Sequence, residues 1–246
     1  MTNKELGALI NQLDSNRFGF PVARINNWIE NRPIETCLIL RKYGVKLVIS
    51  KVPSKYSDTI QSLLEFGFEK MDTVIHYKRT FPDSELSNSF SNTKFKYRQA
   101  EIEDIPQLVK IARSSFLGGH YFADSRLDQQ KCKEIYQDWI RRSCLGQTGD
   151  KVYIAHLNND IAGFATFEKH GNETLWAGIG ATGEQFRNQG ACRSTLQFGI
   201  NEYIGEHQFQ YFGSAVSESN RSVNKVFSDL GCEPEEKFFI LHGWLD

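Results

Sequence analysis

One stretch limits the possible folds of this chain more than any other: residues 175–196, with the sequence LWAGIGATGEQFRNQGACRSTL. An apolar run predicts a strand that ends near Thr182, a polar loop carries Gly183 and Gly190, and the following run predicts a helix. A helix that begins there presents unpaired backbone N–H groups and a partial positive charge. Because glycine lets a ligand approach the backbone closely, the stretch predicts a site for an anion such as a pyrophosphate.

The loop after this strand differs from two common phosphate-binding loops. The P-loop pattern GxxxxGK[ST] is absent, and Gly178 and Gly180 lie within the predicted strand rather than after it, which excludes the dinucleotide pattern GxGxxG. Arg187 stands in the loop and can add a charge-assisted contact to a phosphate. A polar surface loop without a ligand is the alternative interpretation.

The whole chain has an ordinary globular composition. Its 246 residues carry a formal net charge of −1, so no overall field attracts nucleic acid or an anionic membrane. Its five cysteines are odd in number and form no CxxC pair, so we expect reduced thiols, with neither a disulfide framework nor a metal site. The first residues lack the apolar run of a signal peptide, and no stretch approaches about 18 apolar residues, so we expect a cytoplasmic chain without a membrane span.

A segment rich in Ser, Asn and Asp divides the chain. Residues 81–94, FPDSELSNSFSNTK, show neither strand nor helix periodicity and predict a linker between a shorter part, 1–80, and a longer part, 95–246. The apolar pattern of the shorter part predicts strands at 36–41, 45–51 and 74–79, and a helix at 56–66.

The longer part predicts the order β-α-α-β-β-β-α-β-α-β, which indicates a mixed α/β sheet flanked by helices. Its strands are expected at 96–99, 152–157, 161–168, 174–182, 209–216 and 237–244, and its helices from about 105, at 129–144, 190–204 and 222–230. Residues 63–69 and 228–233 both combine a helix end, a glycine, an apolar residue and a glutamate before a strand. They indicate either a common helix ending or a duplicated half-domain.

The polar loop carries a motif that resembles a known signature. The motif consists of Arg187, Asn188, Gln189, Gly190, Ala191 and Cys192. It resembles the pattern Arg/Gln-x-x-Gly-x-Gly/Ala of the GNAT acyl-CoA N-acyltransferases. The resemblance implies that the backbone N–H groups of this loop bind the pyrophosphate of acetyl-CoA or another acyl-CoA. Cys192 replaces the Gly or Ala of the pattern, and it is small enough for the loop to survive.

A second motif follows in the order that the same superfamily has. Residues 216–232 are similar to the GNAT sequence of a strand, then Asn-x-x-Ala, then a helix that ends in Tyr-x-x-Leu-Gly-Phe. The resemblance implies that Asn220 contacts the pantetheine or phosphate arm, although Asn also suits the start of a helix. It further implies the GNAT fold, with a full catalytic domain at 95–246 and a smaller, degenerate GNAT-like domain at 1–80.

A narrower resemblance extends over most of the chain. Residues 13–24, 97–106 and 135–143 look like those of the TDP-fucosamine (TDP-4-amino-4,6-dideoxygalactose) N-acetyltransferases. This resemblance implies that an acetyl or other short acyl group moves to the amine of a nucleotide-linked 4-amino-6-deoxy sugar in cell-surface glycan biosynthesis. A homodimer is one assembly it allows. A peptide amine or another small-molecule amine is the alternative acceptor.

Acyl transfer needs alignment, an oxyanion donor and a proton for the leaving thiolate. We expect a backbone N–H at Ala181 or Thr182, near the end of the strand, to stabilise the oxyanion. The family's proton donor is the tyrosine of the second motif, and here Phe227 stands in its place. Three explanations remain open: Tyr211 or Ser217 donates the proton, a water does, or the protein binds acyl-CoA without catalysing transfer.

The acceptor side has two candidate groups of residues. His120, Tyr121 and Arg126 lie between the first two helices of the longer part, where aromatic rings and an arginine suit a sugar and a diphosphate. Glu168 and His170 follow a predicted strand and can accept the amine proton, directly or through water. An ordinary solvated loop is the alternative in both places.

Overall fold

The computed structural model describes residues 7–26, 32–81, 94–148, 151–206 and 209–245, so the predicted linker lies outside the described residues from 82 to 93. The strands are β1 (Val22–Ile25), β2 (Leu47–Pro53), β3 (Glu69–Thr80), β4 (Lys96–Gln99), β5 (Lys151–Leu157), β6 (Asp160–His170), β7 (Thr174–Thr182), β8 (Tyr211–Ser217) and β9 (Glu233–Trp244). The helices are α1 (Gln12–Phe18), α2 (Pro33–Lys42), α3 (Ser57–Glu65), α4 (Ile105–Ser115), α5 (His120–Ala123), α6 (Gln129–Cys144), α7 (Ala191–Glu206) and α8 (Arg221–Asp229).

All of these strands belong to one mixed sheet with the order β1-β2-β9-β3-β8-β7-β6-β5-β4. Two neighbouring pairs are parallel, β1 with β2 and β7 with β8, and the other neighbours are antiparallel. Helices α4 and α6 pack against β5, β6 and β7 in one apolar cluster, and α7 packs against the same strands in a separate apolar cluster. The predicted α/β class with a mixed sheet is therefore confirmed.

The sheet has an internal symmetry. The succession β1-α2-β2-α3-β3 matches β7-α7-β8-α8-β9, and each begins with two strands that pair in parallel. The last strand of each succession lies beside the second strand of the other, because β9 pairs with β2 and β3 pairs with β8. The similar stretches 63–69 and 228–233 occupy equivalent places in this pattern. Their glycines, Gly67 and Gly231, both have positive φ after a helix, at 102° and 76°.

The elements predicted for the longer part are all present, whereas the strand predicted at 36–41 is wrong. This segment belongs to α2, which begins with Pro33 at its first turn. Cys37 and Leu40 are buried three residues apart, while Leu38 is 45% exposed, which is the pattern of one helix face. The prediction was wrong because a short run of apolar residues fits a buried strand and a helix equally well. Among the described residues, no helix is long and apolar enough to cross a membrane.

Candidate functional site

A cavity opens where the parallel strands β7 and β8 separate. Their pairing covers only residues 174–177 of β7 and 211–214 of β8. Both strands continue beyond these residues, to Thr182 and Ser217, without pairing to each other. The opening holds a cavity of about 500 Å³, hereafter the main cavity, which is lined by residues 176–180 of β7 and 214–217 of β8.

A β-bulge shapes the β7 wall of the main cavity. The register between β6 and β7 shifts after Ala165, so that Thr166 lies opposite Gly178 and Ile179. Thr166 Oγ1 accepts a hydrogen bond from the Ile179 N–H at 3.0 Å. A Cβ on residue 178 would lie 2.6 Å from this hydroxyl oxygen, so the bulge requires glycine there. The bulge explains why consecutive residues of β7 line the cavity, whereas a regular strand turns alternate residues away.

Two helices begin at the edge of the sheet where the main cavity opens. Each follows the carboxyl end of one parallel strand, α7 after β7 and α8 after β8. The loop before α7 uses the left-handed region twice, with φ of 60° at Asn188 and 82° at Gly190. Ala191 then begins the helix, buried in the same apolar cluster as Phe186. Because helix N-termini attract anions, this edge can bind a phosphate group beside the cavity.

The side chains of the signature loop differ in what they contact. Arg187 is exposed, and its Nη2 donates to the Ser114 carbonyl oxygen at 3.5 Å. Gln189 bonds within the loop and to Lys94, and Cys192 lines the main cavity. Burial raises the pKa of the Cys192 thiol to about 11, so the sulfur stays protonated at neutral pH. We therefore interpret Cys192 as a small packing residue rather than a nucleophile.

Helix α8 contributes Asn220 and Phe227 to the lining of the main cavity. The Asn220 Oδ1 accepts from the Val223 N–H at 3.3 Å, so this side chain caps the helix as well. Phe227 is 3% exposed and stacks between Tyr77 and Phe212, with ring centroids 5.8 and 6.0 Å away. Phe227 is thus a core residue that also borders the cavity.

A polar pair at the end of β8 joins the candidate proton donor Ser217 to Asp72, a carboxyl residue that was not predicted from the sequence. Ser217 Oγ donates to Asp72 Oδ1 at 2.8 Å, and both residues line the main cavity. The Thr73 N–H also donates to Asp72 Oδ1. Burial raises the pKa of Asp72, although these hydrogen bonds act in the opposite direction. Asp72 lies on β3, so the shorter part of the chain contributes a carboxyl group to this site.

A second cavity of about 350 Å³ adjoins the main one. His120, Tyr136, Trp139 and Glu168 line both cavities and separate them. The second cavity also has three arginines in its lining: Arg17, Arg24 and Arg142. Arg17 and Arg24 both form ion pairs with the buried Asp14. The lining also includes Asp14, Asp138 and Glu168, so the arginines stand beside carboxyl groups next to a wall shared with the main cavity.

Comparison with solved structures identifies the architecture. A GCN5-related N-acetyltransferase from Sphaerobacter thermophilus superposes with a TM-score of 0.63 at 11% identity, over 93% of this chain and 74% of that one. A tandem GNAT protein from the clavulanic acid biosynthesis pathway gives 0.61 at 14% identity, over 93% and 76%. A conserved protein of unknown function from Staphylococcus epidermidis gives 0.63 at 11%, over 92% and 84%. The chain has the GNAT fold. No protein-family model and no curated protein sequence matches it significantly.

Within the GNAT fold, several of the predicted site residues meet at the main cavity. Its lining includes Ser217, Asn220 and Phe227 from the second motif and Cys192 from the first, together with His120 and Glu168 from the acceptor side. Tyr121 lines the second cavity instead, where its hydroxyl donates to Asp14 Oδ2 at 3.0 Å. Ala181 and Thr182 lie just past the lined part of β7.

The predicted loop residues Arg187, Asn188, Gln189, Gly190 and Ala191 lie outside both linings, and so do Ala181 and Thr182. Among the predicted catalytic and acceptor residues, three lie away from both linings. Tyr211 begins β8 at the end opposite the cavity, and Lys78 lies over its ring at 4.1 Å. Arg126 contacts Asp124 and Glu69 and lies over the Trp244 ring. His170 stacks on Trp176 and bonds to Glu168. They remain predictions, since neither lining includes them, although His170 contacts two residues that line the main cavity.

Sequence reasoning missed the residues that reach the site from distant elements. Asp72, Tyr136 and Trp139 line the main cavity, and the buried His242 bonds to His120 from the last strand. Only Tyr136 and Trp139 carried a sequence signal, since they fall in a stretch of family resemblance. Among the described residues, no group of three or more His, Cys, Asp or Glu side chains could hold a metal ion.

Proposed function

We propose that this protein transfers an acetyl or other short acyl group from acyl-CoA to an amine. The observation that carries the proposal is the main cavity itself, which opens between two parting parallel strands and beside two helix N-termini. Its narrow part between β7 and β8 suits an extended thiol arm, and the helix ends suit the pyrophosphate. The free thiols of all five cysteines, each in the described residues, fit a reducing compartment such as the cytoplasm.

In this proposal the backbone N–H groups at 187–192 bind the pyrophosphate, and Arg187 adds a charge. The acyl carbonyl lies against the bulge of β7. The cavity lining ends at Gly180, and the Ile179 N–H is already bonded to Thr166, so we assign the oxyanion donor to Gly178 or Gly180 rather than to Ala181 or Thr182.

The leaving thiolate receives its proton from the Ser217 end of β8. Ser217 lines the cavity, as Phe227 does, and burial raises the pKa of its partner Asp72, which favours a protonated carboxyl group. The protonated Asp72 donates to Ser217 Oγ, the reverse of the hydrogen bond in the structure, so the serine hydroxyl passes its proton to the thiolate and takes one from Asp72. Tyr211, the other candidate, is at the opposite end of the same strand. We therefore propose that Asp72 and Ser217 together replace the tyrosine that the second motif lacks.

For the acceptor we propose a nucleotide-linked 4-amino-6-deoxy sugar, as the narrower sequence resemblance implies. Supporting this, the second cavity has three arginines in its lining, and guanidinium groups recognise phosphates well. The shared wall of His120, Tyr136, Trp139 and Glu168 offers rings and polar groups for a sugar at the boundary.

The test is incubation of the full chain with acetyl-CoA and TDP-4-amino-4,6-dideoxygalactose, with free thiol followed over time. We expect thiol release that depends on the amino sugar, and the N-acetylated product by mass spectrometry. Lysine-containing peptides and polyamines serve as comparison acceptors. Thiol release with those amines alone would exclude the nucleotide sugar, and no release with any amine would exclude acyl transfer.

A non-catalytic acyl-CoA-binding module is the second candidate, because Phe227 borders the cavity where the family has an acid. Isothermal titration with CoA separates the two. Binding together with no turnover on any amine supports the module, whereas binding with turnover supports the enzyme.

A further inference from the structure

A buried carboxylate, Asp124, lies behind His120, one of the residues of the wall shared by the two cavities. Asp124 is 1% exposed, and its Oδ2 accepts from His242 Nδ1 at 2.8 Å and from Trp244 Nε1 at 2.9 Å. Its Oδ1 accepts from the Arg126 N–H. Burial alone would raise the pKa of Asp124, but these hydrogen bonds outweigh it and hold the pKa well below its ordinary value. Asp124 is therefore an ionised acceptor at neutral pH.

The ionised Asp124 orients two imidazoles in series. Because a carboxylate can only accept, His242 Nδ1 must carry a proton, and the Nε2 of a neutral His242 is then an acceptor. His242 Nε2 lies 2.9 Å from His120 Nδ1. The proton between them consequently belongs to His120 Nδ1, and this leaves a lone pair on His120 Nε2.

The second imidazole, His120, belongs to the wall shared by the two cavities. His120 lines both cavities and is partly exposed, whereas His242 is fully buried. Gly119 precedes it with φ of 90°, and a Cβ there would touch Asp72 Oδ2 and Tyr136 Oη at 3.8 Å. The loop thus brings His120 to the wall between the acyl side and the acceptor side.

We propose that His120 Nε2 is the general base that takes the proton from the acceptor amine, and that His242 and Asp124 are the groups that position and charge-balance it. The proposal rests on the acyl-transfer function proposed above. It assigns a role to Asp124 and His242, which no sequence motif singles out.

The step balances as follows in atoms and charge. The amine nitrogen forms a bond to the thioester carbonyl carbon, the carbon–sulfur bond breaks, and CoA leaves as a thiolate. The amine proton moves to His120 Nε2. The Nδ1 proton of His120 can then pass to His242 Nε2, which places the positive charge on His242, 2.8 Å from the Asp124 carboxylate.

Other charged and titratable groups surround His120 and affect its protonation. Burial, His242 and Arg24 lower its pKa well below the ordinary value, which keeps the free base neutral at pH 7. The groups that face it from the packed elements are Arg24 of β1, Asp72 of β3, Tyr121 of α5, Tyr136 of α6, Glu168 of β6 and His242 of β9. Glu168 is the competing base, since it lines both cavities and already bonds to His170.

The direction of the hydrogen bonds from His120 to His242 and from His242 to Asp124 can be tested without an activity measurement. Long-range ¹H–¹⁵N correlation spectra of ¹⁵N-histidine-labelled full chain, with assignments from His120→Gln and His242→Gln, report the tautomer of each ring. In both rings we expect a proton on Nδ1 and a lone pair on Nε2. A cationic His242, or a proton on His120 Nε2, would overturn the relay.

Kinetics with acetyl-CoA and the best amine of the panel test the role of the base. His120→Gln should lower kcat by about 10²- to 10⁴-fold. His242→Gln should lower kcat less and move the acid limb of the kcat profile to higher pH, because the imidazole that lowers the pKa of His120 is gone. The matched control is His156→Gln on β5, whose ring bonds to the Asn158 carbonyl and lines neither cavity.

The outcomes distinguish a failure of the general-base proposal from a failure of the acyl-transfer function on which it rests. If Glu168→Gln abolishes turnover while His120→Gln resembles the His156→Gln control, His120 is not the base although acyl transfer stands. If His242→Gln changes only the melting temperature and not the pH profile, its role is structural and the relay is refuted. If the wild type releases no thiol with any amine, acyl transfer fails and His120 has no role as its base, whatever tautomers the spectra show.

Discussion

The substitution Thr166→Val tests whether the bulge in β7 shapes the site. It replaces the hydroxyl that accepts from the Ile179 N–H with a methyl group of similar size. Thr166 is fully buried and Ile179 is 7% exposed, so the N–H loses its partner in a place that water reaches poorly. A buried, unsatisfied N–H costs about 1–3 kcal/mol, and we expect the free energy of unfolding to fall by that amount.

The activity should fall as well, because the bulge orients the proposed oxyanion donors at Gly178 and Gly180. Removal of such a donor costs roughly 10²- to 10³-fold in kcat, and a misdirected one should cost at least about tenfold. Denaturant unfolding and thiol release measure the two effects. Thr195→Val is the matched control, since this buried hydroxyl only donates to the Ala191 carbonyl within α7. Equal unfolding midpoints for the two variants, together with wild-type turnover, would refute the reasoning.

Three further predictions address the acid, the core and the pH dependence. Phe227→Tyr should raise turnover, because it adds a hydroxyl at the cavity edge where the second motif has its acid. Phe212→Tyr is the control, since Phe212 is buried outside the cavity lining, and it should only lower the free energy of unfolding. Equal turnover in both variants would show that position 227 does not face the thioester. Gly199→Ala places a Cβ 2.3 Å from the Phe167 ring and should cost about 1–3 kcal/mol by denaturant unfolding, whereas Gly118→Ala meets no atom within 4 Å and should be neutral. Arg98 lowers the pKa of Asp104 below its ordinary 3.8, so the ion pair stabilises the fold above about pH 4 and is lost as pH falls through the lowered value. Asp104→Asn should therefore cost about 1 kcal/mol at pH 7, since Arg98 is 38% exposed, and progressively less as the pH falls through the lowered pKa of Asp104. A cost that stays constant as the pH falls would contradict this.

The sequence was sufficient for the elements at the edge of the sheet where the main cavity opens because their signals are local. A strand, a glycine-bearing loop and a helix follow one another within residues 174–206, and each has its own local signal. The observed β7 has the predicted bounds, and α7 begins one residue after the predicted start and ends two residues after the predicted end. The strand predicted at 36–41 was wrong because periodicity is ambiguous in a short apolar run. Its helical state depends on burying Cys37 and Leu40 together.

The paired polar residues of the main cavity could not be predicted because they meet only through tertiary pairing. Asp72 and Ser217 are brought together by the antiparallel register of β3 on β8, in which Val74 faces Ser217. His120 and His242 are 122 positions apart and meet because α5 packs over the sheet. No spacing in the chain encodes either contact, so the sequence named His120 and Ser217 singly and missed their partners.

The exchanged strands make the two parts of the chain depend on each other. Within the described residues, β9 pairs only with β2 and β3, and both belong to residues before 81. A fragment of residues 95–246 would therefore keep the signature loop and both GNAT motifs but leave β9 without a neighbour and β8 with an open edge. It would also lose Asp72, and His242 would lie on an unpaired strand. We expect this fragment to lack cooperative unfolding and CoA binding, and we expect co-expression with residues 1–80 to restore both. A fragment that unfolds cooperatively and binds CoA as the whole chain does would show that residues 95–246 fold alone and that the strand exchange is not required for their folding.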